Sequence, residues 1–207
     1  MVLFSLLCVP LCAVFFMRLA ESKVVCWREL GTLFLKGALF FLPVFLVEST
    51  LRLLLSMSYR PFLLYLHVLL LDHLLYFTAS LGGFVLIRGL AQLKKIHYLE
   101  VMFFMAGFYA VVMLKTFLSH GGPYDGFLLF ILPLLRVSTI VLSSVLLVNF
   151  VYAYGPARAA CAAALLCMPL LTAAAGAAHA TNRTVLSVLL GIVAIAAAVV
   201  GWFRLSE

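Results

Sequence analysis

Apolar residues run through this chain in long blocks, and polar residues mark the joints between them. Windows of about 20 residues, the length that crosses a hydrocarbon core of about 30 Å, pick out seven candidate spans. They lie at 2–17, 32–55, 61–87, 98–118, 126–152, 157–178 and 185–203. The joints hold turn-forming and charged residues: Arg18 to Glu29, Ser56 to Pro61, Lys94-Lys95, Gly121-Gly-Pro123, Gly155-Pro156 and Thr181 to Arg183. The blocks are too long and continuous for barrel strands, and backbone polar groups in lipid must be satisfied within their own segment. The pattern therefore predicts an all-α, polytopic bundle of about seven transmembrane helices, forming a single domain over 1–207. The first span reads as a retained helix, because it lacks a basic leading region and a small-residue cleavage site.

Composition agrees with the pattern. With 67% hydrophobic residues, 10% charged residues and a mean hydropathy of +1.25, the chain carries more apolar surface than a soluble core of 207 residues hides. Its net charge of +7 is scattered in ones and twos between apolar runs, which argues against nucleic acid and for a lipid bilayer as the partner. Eight basic residues (Arg18, Lys23, Arg28, Arg88, Lys94, Lys95, Arg158 and Arg204) fall on one side of the spans. Four (Arg52, Arg60, Lys115 and Arg183) fall on the other. The positive-inside rule then places the N-terminus outside and the C-terminus in the cytoplasm. Short loops with this asymmetry fit a bacterial inner membrane. Five cysteines form no C-x-x-C pair and read as small buried hydrophobes.

The informative exceptions are charges within the blocks. Glu48 lies in Phe45-Leu-Val-Glu-Ser-Thr-Leu-Arg52, and Asp72 in Leu69-Leu-Leu-Asp-His-Leu-Leu-Tyr76. An ionised group in hydrocarbon costs about 2.5–3.5 kcal/mol on insertion scales, so such residues face a bundle interior and act there. At a rise of about 1.5 Å per residue, Glu48 and His67 reach nearly the same depth, and so do Asp72 and Arg136. An Asp72–Arg136 ion pair is expected from this. Glu48 and Arg52 stand four apart with the acid first, the order that favours a local pair, so Glu48 is either neutralised by its neighbour or held for chemistry. On the third span, Asp72, Tyr76, Ala79, Ser80 and Gly83 recur at spacings of three and four and form one polar, small-residue stripe. Tyr76, Ser80 and Gly83 are the expected helix-packing face. A straight helix turns His67, Asp72 and His73 in different directions, so the three together make no metal site.

Motifs for phosphate cradles, dinucleotide folds, zinc proteases and serine hydrolases are absent. One resemblance joins the two carboxylates. Glu48-Ser-Thr-Leu-Arg52 resembles the Glu-Glu-x-x-Lys motif of PrsW-type intramembrane proteases, relatives of the CAAX-processing endopeptidases, with Ser49 and Arg52 replacing glutamate and lysine. Asp72-His-Leu-Leu-Tyr76, followed by Gly83-Phe84, is similar to their second motif, Asp-x-x-x-Tyr then Gly-Phe. The resemblance covers residues 30–90. It departs at Arg88-Gly89, where the family has Glu-Asn, and at Ser138, Thr139, Ser143 and Ser144, where a histidine is expected. His179-Ala-Thr-Asn182 echoes the family's last histidine and asparagine in a looser register.

The resemblance implies peptide hydrolysis within the membrane, with Glu48 as base and Asp72 and Arg52 beside it. It also implies a divalent metal such as zinc, held by Glu48, His67 and Asp72. Losing the second glutamate and the one expected at position 88 removes groups that would share a proton or complete such a site, since a catalytic zinc keeps three protein ligands. The expectation is a PrsW-like protein with impaired or lost peptidase activity that binds transmembrane segments of other proteins. Two other readings stay open. Glu48, Asp72, Lys115 and Arg136, with His67 and His73, suit a proton- or solute-coupled transport subunit, and the alanine-rich span 157–178 suits a structural subunit of a membrane complex.

Overall fold

A computed structural model describes residues 2–19, 26–55, 60–89, 96–120 and 125–205. Lys23, Lys94 and Lys95, which bear on the orientation, lie outside the described residues, as do 56–59 and 121–124. All of the described secondary structure is helical. Seven helical elements follow in order: α1 (Val2–Leu19), α2 (Trp27–Leu54), α3, α4 (Tyr98–Ser119), α5, α6 (Gly155–Ala180) and α7 (Thr184–Leu205). Two of them change pitch. α3 is α-helical over Pro61–His67, π-helical over Val68–Leu74 and α-helical again over Leu75–Arg88, while α5 is π-helical over Phe127–Ile131 and α-helical over Leu132–Tyr152.

Six of the elements are long and apolar enough to cross a membrane. α1 has 18 residues, within the usual range of about 17–25 for a spanning helix, and its strongly apolar run is Ser5–Phe15. Helix ends fall a few residues from the hydropathy windows because helices continue past the apolar core; α2 begins five residues early and carries Arg28 and Glu29 in its first turn. Between α6 and α7 the turn closes on Asn182, whose φ of 59° is a left-handed conformation that asparagine tolerates.

α4 and α5 form the middle of the bundle. Leu99 to Tyr109 is a continuous buried run, and Leu135 to Leu147 is buried apart from Val137. Most of the exposed apolar residues, such as Leu39, Leu46, Leu53, Leu166 and Val185, lie on the outer helices, and a few, such as Leu118 and Phe130, lie near the ends of α4 and α5. That inverts the soluble pattern and suits a surface solvated by lipid.

Helix packing in lipid depends on close approach, and α2 and α4 achieve it through two glycines. A Cβ on Gly37 would sit 2.0 Å from the carbonyl oxygen of Phe104, and one on Gly107 would sit 1.9 Å from that of Phe34. Each helix thus presses its own glycine onto the other's backbone. The two run parallel: Phe41 meets Phe108 and, further along, Glu48 meets Lys115. α3 runs against both, bringing Gly83 under the Phe40 ring and Tyr76 beside Phe41 and Phe108. Tyr76, Ser80 and Gly83 are all buried. One end of the bundle, here the Leu54 end, therefore gathers the last turns of α2, α4 and α6 with the first turns of α3 and α5.

Candidate intramembrane polar site

Two turns below its end, α2 places the Glu48 carboxylate fully inside the bundle. Three donors meet it. Arg52 Nε donates to Oε1 over 2.7 Å one turn further along, Tyr76 Oη donates to Oε2 over 2.6 Å from α3, and Lys115 Nζ reaches Oε1 from α4. Lys115 also donates to Tyr76 Oη at 2.9 Å, and its ammonium lies 5.6 Å from the Phe45 ring centre and 5.7 Å from that of Tyr76. A carboxylate offers about four lone-pair positions, so three hydrogen bonds nearly fill it. Arg52 continues the network by pairing its Nη2 with the Asp72 carboxylate.

The expected Asp72–Arg136 ion pair does not form. A π-helical turn holds more residues than an α-helical one, so Val68–Leu74 slips the phase of the stripe read from the sequence. The Asp72 carboxylate turns to Arg52, and Arg136 Nη2 donates instead to the Asp72 backbone carbonyl at 2.9 Å. Arg136 Nη1 stands 3.5 Å from His73 Nδ1; an arginine has only donors, so that nitrogen is the acceptor. Rings of Tyr109 and Tyr76 flank the guanidinium, with centres 5.3 and 5.9 Å from its central carbon. Arg136 is 5% exposed, and no carboxylate pairs with it among the described residues. Its Nε, Tyr109 Oη and Ser143 Oγ are buried without a hydrogen-bond partner.

Beside this network lies a cavity of about 300 Å³. Arg52, Asp72, Lys115 and Arg136 supply its charged wall, Thr116 and Ser119 add hydroxyls, and Leu64, Val68, Phe127 and Leu132 close the apolar side. Both π-helical stretches border it, and wide turns of this kind cluster at functional sites. Gly176 on α6 lets His73 in, since a Cβ there would stand 3.3 Å from its Nε2.

Comparison with protein-family models, with curated proteins and with solved structures finds no match. The site therefore stands on its own geometry.

That geometry separates the residues singled out in the sequence. Glu48, Arg52, Asp72 and Tyr76 are joined in one network, with Arg136 at its edge. Ser80 and Gly83 lie further along α3 and pack instead of lining the cavity. The metal set of Glu48, His67 and Asp72 is not assembled: His67 is outside the cavity wall, and no three His, Cys, Asp or Glu side chains come together for a metal among the described residues. Cations fill the positions a metal would take, because Arg52 and Lys115 already sit on the Glu48 and Asp72 oxygens. Arg88, where the resemblance led to the expectation of a glutamate, pairs with Glu100 at the opposite end of the bundle. His179 pairs with Asp125 at 3.0 Å and stacks on Phe127.

Lys115 and His73 entered the sequence reading only as members of a transport path, and their contacts with Glu48 and Arg136 were not foreseen. Lys115 carried a signal, a cation four residues inside the end of an apolar span, but nothing in its spacing named Glu48 as its partner. His73 depends on the π-helical phase, which has no sequence signature here.

Proposed function

We propose that this chain is an integral membrane protein, PrsW-like in its second and third spans, that binds at its intramembrane polar site and does not hydrolyse there. The observation that carries this reading is the Glu48 carboxylate, held by Arg52, Tyr76 and Lys115. A general base must lie within hydrogen-bond reach of the water it activates and have a lone pair to take the proton. With three donors on it and two of them cations, Glu48 works as the anchor of an ion network joining α2, α3 and α4. Contact between Glu48 and Tyr76, and between Arg52 and Asp72, supports the kinship, because the residues of the two resembling motifs meet.

The proposed setting is a bacterial inner membrane, with α1 as a seventh span, the N-terminus outside and the Leu54 end of the bundle facing away from the cytoplasm. The proposed partners are the bilayer and transmembrane segments of other proteins. Transport is the second reading, and the cavity with its cationic wall favours it to the extent that it offers a binding place for a solute.

Reconstitution of the full chain with single-span protein substrates tests the first reading. No cleavage is expected from the wild type or from Glu48→Gln. Cleavage by the wild type that Glu48→Gln abolishes would overturn it.

A further inference from the structure

The charges around the cavity do not balance. Arg52, Lys115 and Arg136 line it, against Asp72 in the wall and Glu48 behind it, so three cations face two carboxylates. The two carboxylates are consumed by Arg52 and Lys115. Arg136, the most buried of the three cations, is left with a backbone carbonyl and an imidazole nitrogen, both neutral acceptors. A buried cation without an anion is costly, and a charge at membrane depth is kept where it pairs with something.

We propose that the cavity binds a singly charged oxyanion, a carboxylate, phosphate diester or monoanionic phosphate group, with Arg136 as its principal partner. Guanidinium presents five N–H donors in a planar fork that matches such oxygens, and among the described residues Nη1 and Nη2 each meet one neutral acceptor. Lys115 and the hydroxyls of Thr116 and Ser119 offer further donors from the adjoining wall. One negative charge completes the count; a second would meet Asp72 without compensation. The apolar wall formed by Leu64, Val68 and Phe127 suits an aliphatic body attached to the anionic head. At about 300 Å³ the cavity is at the small end of ligand pockets, which run to about 1,000 Å³. It thus accepts a head group and a short part of a chain. The same chemistry is carried by an anionic lipid and by a free amphiphilic anion.

This inference rests on reading the site as one that binds, and its test is separate from the cleavage assay. The full chain is placed in nanodiscs of phosphatidylcholine, and its thermal midpoint and ligand occupancy are measured with octanoate, with inorganic phosphate, or with phosphatidylglycerol in the disc. The expected result is saturable binding of one oxyanion per chain with a rise in midpoint. Arg136→Met weakens it by about tenfold or more, as loss of a charge-assisted contact requires, while Arg28→Gln at the opposite end leaves it unchanged. A response to phosphatidylglycerol alone assigns the site to a lipid head group, and one to octanoate or phosphate assigns it to a free anion. Thr116→Met fills the cavity and keeps every charge, so it is expected to block binding even if Arg136→Met fails to fold. No saturable response to any of the three probes overturns the proposal, as does binding that survives both substitutions. Either failure leaves the non-hydrolytic reading standing, whereas Glu48-dependent cleavage removes that reading whatever the anion result.

Discussion

The bundle has a charged cluster at each end, and the two differ in what surrounds them. At the Trp27 end, Arg28, Glu29, Lys36, Arg88 and Glu100 border an open pocket of about 540 Å³. At the Leu54 end, Arg52, Asp72, Lys115 and Arg136 border the smaller cavity, backed by Glu48. Each cluster has three cations and two carboxylates. At the first, Glu100 is buried against Arg88, but Arg28, Glu29 and Lys36 are exposed, so the excess charge is screened and costs little. At the second, Arg52 and Asp72 reach the surface, but Glu48 and Arg136 are buried, and these two must find their partners inside the protein. An equal count of charges thus makes a solvated rim in one place and a candidate site in the other. Burial is what separates them.

Substitutions that act on both ends, or on one, test this contrast. The largest effect is expected from Gly107→Leu, because the α2–α4 contact lies between the clusters and both helices contribute to each. A side chain there collides with the Phe34 backbone, so loss of folded protein is expected in size-exclusion chromatography, whereas Gly31→Leu, which has open space around it, leaves folding intact.

Next comes Glu48→Gln. Breaking a buried pair costs about 3–5 kcal/mol, and the low end applies because Lys115 and Arg52 keep some solvent contact. Glu100→Gln at the other end removes a buried carboxylate that holds one cation, the part-exposed Arg88, and is expected to cost less, about 2 kcal/mol. Unfolding in mixed micelles compares the two, and equal losses would erase the distinction between the ends. Arg136→Met sharpens it further. Replacing a buried cation that has no carboxylate with an apolar side chain of similar length is expected to leave stability unchanged or raise it by about 1 kcal/mol in the absence of added anions.

The smallest effect belongs to the Trp27 end. His97 caps α4: its Nδ1 accepts from the Leu99 amide at 3.3 Å, and Glu100 accepts from the His97 amide at 3.2 Å. Burial holds the His97 pKa below its ordinary 6.5 despite the opposing pull of Glu100. The folded state therefore binds its proton less readily than the unfolded state. The cap's contribution is whole above pH 6.5 and falls as acid brings the pH down through the folded value. Hydrogen exchange at the first turn of α4 is expected to speed up below pH 6 by about two- to fivefold, with no change at the first turn of α6.

Helices, their number and their order were legible from hydropathy, because a span needs only length and apolarity, and Glu48–Arg52 from the i, i+4 rule. Tyr76, Ser80 and Gly83 could be grouped because the α-helical part of α3 keeps the regular period. The partner of Asp72 could not, since the π-helical register breaks that period just where Asp72 and His73 lie. Depth arithmetic brought Arg136 to the right level but cannot say which atom of Asp72 it meets. Pairing of Lys115 with Glu48 depends on the approach of α2 to α4 at Gly37 and Gly107, which meet Phe104 and Phe34, contacts distant in sequence that no local pattern announces.

Glu48 is held by Arg52, Tyr76 and Lys115 in one ion network. A double-mutant cycle between Glu48→Gln and Lys115→Met measures that hold directly. Contacting charged residues couple by about 0.5–3 kcal/mol, and a value in the upper half of that range is expected. Additive losses, with no coupling between the two positions, would contradict this expectation.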